Sequence, residues 1–350
     1  MNDLLVVTCH ETERLKETLA YALQGVVHER LESAAALPRL AGSRVLFALG
    51  LSEHGMDADV IQLIAALRQM PELMRGSTGA ILIDGAGELY TKQTADMLAL
   101  AANLAGCRFP GKPLVEATGS LDNWNVQSLR RGVSLLGAYH QAARELVERL
   151  VSFAPQKKER PKVLLLHASD RATSNTLQIG TRISEKIAPY CDIHEISLIN
   201  GAIFDCRGCS YKTCSHFARQ NSCFYGGVIT NDVYPAIGDC DALLLLCPNY
   251  NDSVSANILA FINRLTSVVV YNSLYEKQLF SVIVSGYSGS DIIAQQVIGA
   301  LCLNKTFSLP PQFCLMQTAN NPGEAMQAEG MEERIDAFAS RMLSSLRKDL

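Results

Sequence analysis

Short aliphatic runs alternate with helical periodicity along the 350-residue chain. Between the runs, apolar residues such as Leu15, Leu19 and Leu23 recur every three or four positions, the period of a helix that buries one face. In the first half we predict strands at 4–8, 44–49, 80–84 and 114–118, and one long closing helix at about 125–150. This alternation predicts a mainly parallel sheet with crossover helices.

The second half repeats this order. The predicted strands are 162–167, 192–197, 242–246, 279–284 and 312–317, with helices between them and one at the end. The polar, proline-bracketed segment 155–161 is the best candidate linker. We therefore predict two copies of one doubly wound domain, at 1–155 and 161–350. The spacing of matching strands grows by about 40 residues before the strand at 242, which places a cysteine-rich insertion at about 199–238 of the second copy.

Composition narrows the range of functions. The chain has 48% hydrophobic and 19% charged residues and a formal charge of -4, which argues against disorder and against nucleic acid as a partner. Its longest aliphatic run is far shorter than a membrane span, and a secretory signal is missing from its first residues, so we expect no membrane partner. Eleven cysteines, an odd number, favour a reducing, cytoplasmic location over a disulfide framework.

Ligands of open parallel sheets bind beyond the carboxyl ends of the strands, so the loops there are the candidate site. The loop after the strand at 162–167 is rich in hydroxyl groups and leads into a helix, a combination that binds phosphate well. The alternative is an ordinary helix N-cap by Thr173 or Ser174. The candidate phosphate-binding residues are Ser169, Arg171, Thr173, Ser174, Asn175 and Thr176.

The next two loops suit a planar, hydrogen-bonding ring. One places Tyr250 between amide side chains, although this tyrosine could instead pack on the sheet edge. The other contains glycines that allow a ligand to approach the backbone closely. The candidate ring-binding residues are Pro248, Asn249, Tyr250, Asn251, Ser285, Gly286, Tyr287, Ser288 and Gly289.

Four cysteines of the insertion, Cys206, Cys209, Cys214 and Cys223, have the spacing C-x2-C-x4-C-x8-C. Four thiolates are the right number and type to bind a four-iron (4Fe-4S) cluster or a tetrahedral zinc ion. Free or redox-active thiols are the other interpretation, since the charges of Arg207 and Lys212 would favour thiolate.

With these loops in this order, residues of about 162–320 resemble the NADPH-dependent FMN reductase and iron-sulfur flavoprotein families, which share the flavodoxin-like fold. The resemblance also includes the helix through Asn263 and Arg264 and the cysteine run, whose later spacing is wider than in those families. It implies FMN, with its phosphate on the first loop and its ring between the other two. It also implies hydride transfer from NAD(P)H to FMN and electron transfer onward to an unspecified acceptor, with the cysteine centre as a relay if a cluster is present.

The matching loops of the first half lack the Ser-Asn-Thr signal and carry acidic residues, including Glu11 and Glu53, which would repel a phosphate. We therefore expect a degenerate first domain without flavin. Because the resembled reductases form dimers, the chain could form a homodimer, or the first domain could act as a built-in partner. Two rival interpretations are a non-enzymatic flavin/iron-sulfur electron carrier and a metal-stabilised interaction module without flavin.

Overall fold

The computed structural model describes residues 4–32, 37–169 and 174–348. It contains two compact units, Met1–Ala154 with Leu309–Gln312, and Pro155–Ser308 with Phe313–Leu350. Within the described part of the chain, no helix has the length and apolarity that a membrane span requires.

The first unit contains a five-stranded parallel sheet in the order β2-β1-β3-β4-β5. Its strands are β1 Leu4–Cys9, β2 His28–Glu32, β3 Arg44–Leu51, β4 Thr78–Gly85 and β5 Leu114–Ala117. Its helices are α1 Glu13–Ala22, α2 Ala58–Gln69, α3 Thr91–Leu104, α4 Asn125–Arg131 and α5 Leu135–Ser152. Leu15 and Leu19 of α1 and Leu146 of α5 pack against Val6 and Leu46 of the sheet to form one core.

Two features of this unit differ from the sequence-based prediction. The edge strand β2, His28–Glu32, was not predicted, because its sequence is polar and every residue of it is at least partly exposed. The single helix predicted at 125–150 was wrong. Gly132 adopts a left-handed φ of +66° and ends α4, and Ser134 then caps α5 by accepting a hydrogen bond from the Gly137 N–H at 3.0 Å.

The second unit contains a parallel sheet in the order β10-β9-β8-β6-β7. Its strands are β6 Lys162–His167, β7 Asp192–Ser197, β8 Ala242–Pro248, β9 Gln278–Ser285 and β10 Cys314–Thr318. Its helices are α6 Asn175–Ile187, α7 Tyr211–Ala218, α8 Tyr234–Asp239, α9 Ala256–Arg264, α10 Thr266–Val269, α11 Ser290–Val297, α12 Glu324–Gln327 and α13 Met331–Leu346. Ile183 of α6 and Phe338 of α13 pack on Leu165, Leu244 and Phe280 of the sheet.

Both sheets have the same strand order. Numbered from the first strand of each unit, that order is 2-1-3-4-5, the flavodoxin-like arrangement, which confirms the predicted fold class. The units differ most between their second and third strands. The segment between Ser197 and Ala242 carries α7, α8 and the four cysteines, whereas the first unit has only the short connection between Glu32 and Arg44.

Candidate functional site

Hydrogen bonds from Asn249 join the loops that follow β8 and β9. Its Nδ2 donates to Ser285 Oγ at 3.1 Å, to the Ser288 carbonyl at 3.0 Å and to Asp252 Oδ1 at 3.3 Å. Its backbone N–H donates to the Val284 carbonyl at 2.8 Å. The structure thus brings the two candidate ring-binding loops together as one wall at the carboxyl edge of the sheet.

A tight turn shapes the loop after β8. Asn251 and Asp252 have positive φ angles of +53° and +56°, and Tyr250 and Ser253 exchange two backbone hydrogen bonds of 3.0 and 3.2 Å. Two successive left-handed residues are the signature of a type I′ turn, which asparagine and aspartate tolerate well. Gly289, with φ +85°, lies so close that a Cβ there would be 2.3 Å from Asp252 Oδ1. Its missing side chain therefore permits the two loops to touch.

The aromatic residues of this wall are exposed. Tyr250 is 56% exposed and Tyr287 is 82% exposed, so the sheet-edge packing considered for Tyr250 does not bury it. Pro248 and Gly286 are half-buried, and Asn251 and Ser288 are exposed. Ser285, in contrast, is completely buried, and its Oγ lies 2.8 Å from Ser290 Oγ. The rings of Tyr250 and Tyr287 are thus accessible to a ligand, while Ser285 is a buried residue that hydrogen-bonds within the wall.

Ser169, the second residue after β6, has a buried hydroxyl group. Ser169 is 4% exposed, and among the described residues its Oγ finds no hydrogen-bond partner. Its backbone N–H donates to His167 Nδ1 at 3.3 Å, and Nε2 of the same ring lies 3.2 Å from Glu195 Oε1. These contacts assign the histidine proton to Nε2. Arg171 and Thr173, also expected here, lie outside the described residues.

The start of α6 combines capping with structural contacts. Ser174 Oγ accepts from the Leu177 N–H at 3.1 Å, so Ser174 is the N-cap, and its own O–H remains able to donate to a ligand. The Asn175 side chain donates to the Asn321 carbonyl at 2.8 Å and accepts from the Ala325 N–H at 3.2 Å. These contacts fasten α6 to the segment after β10 and leave only the backbone N–H of Asn175 for an anion. Thr176 is buried.

All four cysteines of the insertion line one cavity of about 310 Å³. Cys206 is exposed and the other three are half-buried. Across the described ranges, no group of three or more His, Cys, Asp or Glu side chains has a geometry ready to hold a metal ion. The pKa of Cys214 is raised by burial and by the charges of the other three thiols, opposite to the effect expected from the nearby cations. Four thiols around one cavity are the donor set that a four-iron cluster or a zinc ion requires.

Arg264 also lines this cavity, and the sequence analysis gave it no role there. It is only 2% exposed, and its guanidinium contacts the backbone on both sides of the cysteine segment. Its position in the sequence, at the end of an amphipathic helix, gives no signal for these contacts.

An ion pair occupies the carboxyl edge of the first unit. Arg14 Nε lies 2.7 Å from Asp84 Oδ2, and Thr12 Oγ1 donates to Asp84 Oδ1 at 3.0 Å. Further guanidinium N–H groups donate to the carbonyls of Gly85 at 2.9 Å and Gly119 at 3.1 Å. The end of β4 and the loops after β1 and β5 therefore close around a single arginine side chain.

Comparison with known proteins adds a family match. In a search of curated proteins, none matches the chain. Among solved structures, RosB with its bound intermediate 8-demethyl-8-formylriboflavin-5'-phosphate is 13% identical, covers 53% of this chain and 77% of that chain, and has a TM-score of 0.42. An NAD(P)H:quinone oxidoreductase from Methanothermobacter marburgensis is 13% identical, with 53% and 96% covered and a TM-score of 0.41. Oxidised flavodoxin 1 from Bacillus cereus is 14% identical, with 53% and 99% covered and a TM-score of 0.34.

The family model described as NADPH-dependent FMN reductase matches residues 161–320. This match covers the sheet of the second unit, the three candidate loops and the cysteine segment. It confirms that the second half of the chain resembles the NADPH-dependent FMN reductase family and supports its assignment as a flavin oxidoreductase.

Proposed function

We propose that the second unit binds FMN at the carboxyl edge of its sheet and catalyses the reduction of this FMN by NAD(P)H. The proposal is carried by the buried hydroxyl of Ser169, which has no hydrogen-bond partner within 4–32, 37–169 and 174–348. A buried hydroxyl without a hydrogen bond costs about 1–3 kcal/mol, and a phosphate oxygen placed between the end of β6 and the start of α6 would remove that cost. The family match supplies the chemical class of ligand.

The residues of this unit have distinct tasks in the proposed site. Ser169 and Ser174 donate their hydroxyl protons to the phosphate, together with the free backbone N–H groups of the first turn of α6, whose dipole also favours an anion. Tyr250 and Tyr287 cover the flavin ring, and Asn249 keeps their two loops together. When bound, FMN supplies the redox chemistry, accepting a hydride from the nicotinamide and releasing electrons onward.

We further propose that Cys206, Cys209, Cys214 and Cys223 hold a 4Fe-4S cluster, with zinc as the second candidate. The proposal is supported by the four thiols around a single cavity. Helix α9 begins soon after the Tyr250 loop and ends at Arg264 beside the cavity. Its nine residues rise by about 13 Å, so one short helix would link the flavin site to the cysteine centre.

For the first unit we propose the absence of flavin. The phosphate position and one of the two ring loops of the second unit correspond in the first to segments that close around Arg14 and Asp84. An FMN phosphate there would have to displace the guanidinium and approach a carboxylate that is 2% exposed. Both changes are unfavourable.

The test uses the full chain purified anaerobically. Flavin is released and quantified per chain, and the visible spectrum is recorded before and after NADPH or NADH is added. We expect one FMN per chain and bleaching of the flavin band by a nicotinamide nucleotide. A flavin that dithionite reduces but neither nucleotide reduces would indicate the electron carrier, and failure to bind added FMN would reject the flavin assignment. Asn249→Ala should weaken FMN binding, because its loss separates the two loops.

A further inference from the structure

Arg264 is a buried cation, and none of its contacts within the described ranges is with an acidic side chain. It is 2% exposed, yet all the acceptors of its guanidinium in the described part of the chain are neutral. Nη1 donates to the Phe204 carbonyl at 3.2 Å, and Nη2 donates to the Gly226 carbonyl at 2.8 Å and to Thr230 Oγ1 at 2.7 Å. Nε is buried with no partner among these residues. A buried charge is unfavourable unless an opposite charge compensates it.

The same contacts bracket the cysteine segment. Phe204 precedes Cys206 and Gly226 follows Cys223, so one guanidinium fastens both ends of the segment that carries the thiols. The neighbouring Asn263 strengthens the first attachment. Its Nδ2 donates to Asp205 Oδ1 at 2.9 Å, and the same oxygen accepts from the Cys206 N–H at 2.6 Å.

The cavity supplies the missing negative charge if its cysteines bind a metal centre. Arg264 lines the cavity together with Cys206, Cys209, Cys214 and Cys223. Metal-bound cysteines are thiolates, so four of them bring four negative charges, of which an oxidised four-iron core or a zinc ion neutralises two. The occupied site therefore carries net negative charge beside a buried positive one.

We propose that Arg264 is a positioning residue of the cysteine centre, which holds the thiol-bearing segment in place and compensates the negative charge of the metal-bound thiolates. This inference rests on the proposed metal centre. A fixed positive charge near an iron-sulfur cluster stabilises its reduced, more negative state, so Arg264 raises the midpoint potential of the cluster.

The test compares Arg264→Gln and Arg264→Lys with the wild-type chain, all full length and purified anaerobically. Arg219→Gln is the matched control, because Arg219 lies in the same insertion but contacts Tyr271. The readouts are iron, sulfide and zinc per chain, the electron paramagnetic resonance signal after reduction, and the midpoint potential. FMN per chain reports whether each variant folds.

For Arg264→Gln we expect a several-fold loss of iron and sulfide and a shift of the remaining cluster to a lower potential. Arg264→Lys keeps the charge but not the two-sided guanidinium fork, so it should restore the potential while retaining less cluster than wild type. Arg219→Gln should match wild type in both. If Arg264→Gln also loses FMN, it is not folded correctly, and the test then depends on Arg264→Lys. Wild-type values for both the cluster content and the midpoint potential of Arg264→Lys would refute the inference.

The outcomes separate this inference from the metal assignment. A wild-type chain without iron, sulfide or zinc would reject the metal centre and, with it, the role of Arg264. A chain that binds zinc would reject the cluster alone, and a several-fold lower zinc content in Arg264→Gln would support the positioning role. Full cluster content and an unchanged midpoint potential in a folded Arg264→Gln variant would refute the role of Arg264 without contradicting the cluster assignment.

Discussion

Replacing Ser169 by alanine should change the stability of the flavin-free protein and its affinity for FMN in opposite directions. The Ser169 hydroxyl is buried and has no hydrogen-bond partner in the part of the chain that the structure describes, and a buried polar group without a hydrogen bond costs about 1–3 kcal/mol. Removing it takes away that cost, so we expect the flavin-free protein to gain about 1 kcal/mol in free energy of unfolding. In the FMN complex the same hydroxyl would donate to a charged phosphate, an interaction of about 1.5–3 kcal/mol. FMN should therefore bind about tenfold to a hundredfold more weakly to Ser169→Ala.

Two measurements and one control test this reasoning. Urea denaturation of the deflavinated protein gives the free energy of unfolding, and fluorescence titration with FMN gives the dissociation constant. Ser184→Ala is the control, because Ser184 Oγ is also buried without a partner among the described residues but lies towards the end of α6. It should leave the dissociation constant of FMN unchanged and, like Ser169→Ala, should not lower the free energy of unfolding of the flavin-free protein.

The two substitutions also define what would refute the argument. A flavin-free Ser169→Ala protein that is less stable than wild type would mean that the hydroxyl has a partner in the folded protein. An FMN affinity within twofold of wild type would mean that the phosphate does not reach Ser169. Equal losses of affinity in both variants would indicate a general effect of altering this part of the unit rather than a contact.

Three further substitutions test the loops, the electrostatics and the first unit. Gly289→Ala should lower the free energy of unfolding by about 1–3 kcal/mol and reduce the FMN content, because φ is +85° and the new Cβ would collide with the loop after β8. Gly238→Ala is the control, since a Cβ there meets open space, and it should have little effect in thermal denaturation. Burial raises the pKa of Asp96 to about 7, above its value in the unfolded chain, so the free energy of unfolding should fall as the pH rises from about 4 to 7. Asp96→Asn should abolish this pH dependence in urea denaturation measured across that range. Arg14→Met should lower the free energy of unfolding by about 3 kcal/mol, because it leaves the buried Asp84 carboxylate without a compensating charge, and it should leave the FMN content unchanged. A loss of FMN would contradict the assignment of flavin to the second unit.

Sequence patterns were most informative where strands are buried and least where they form edges. The bounds of β6 were predicted correctly, because five successive buried residues leave little ambiguity. Strand β2 carries mostly polar residues at the sheet edge, and hydrophobic periodicity has no signal for such a strand. The break between α4 and α5 was missed because apolar residues continue across Gly132, although glycine followed by serine is a recognisable stop and restart.

The candidate site, too, could be predicted only in part from the sequence. Strand order predicts which loops share an edge, but the contacts that join them depend on residues far apart in the sequence. Asn249 reaches Ser285, 36 residues away, and Asn175 reaches Asn321, 146 residues away. Neither asparagine could be distinguished from a ligand-binding residue by its sequence context. The structure assigns Asn175 to the fold and leaves the Ser174 hydroxyl able to serve both the helix and a ligand.

The two units differ in the groups that their first loops offer to an anion. Both copies cap the helix after the first strand in the same way, since Thr12 accepts from the Leu15 N–H at 3.0 Å and Ser174 from the Leu177 N–H at 3.1 Å. The loop before the cap is longer in the second copy, where the hydroxyl of Ser169 is buried with no partner among the residues described. In the first copy the short loop is followed by Arg14, the second residue of α1, and the guanidinium of Arg14 already binds Asp84 and two carbonyls. An arginine would ordinarily attract a phosphate, so the proposed absence of flavin from the first unit rests on the buried carboxylate that neutralises this arginine.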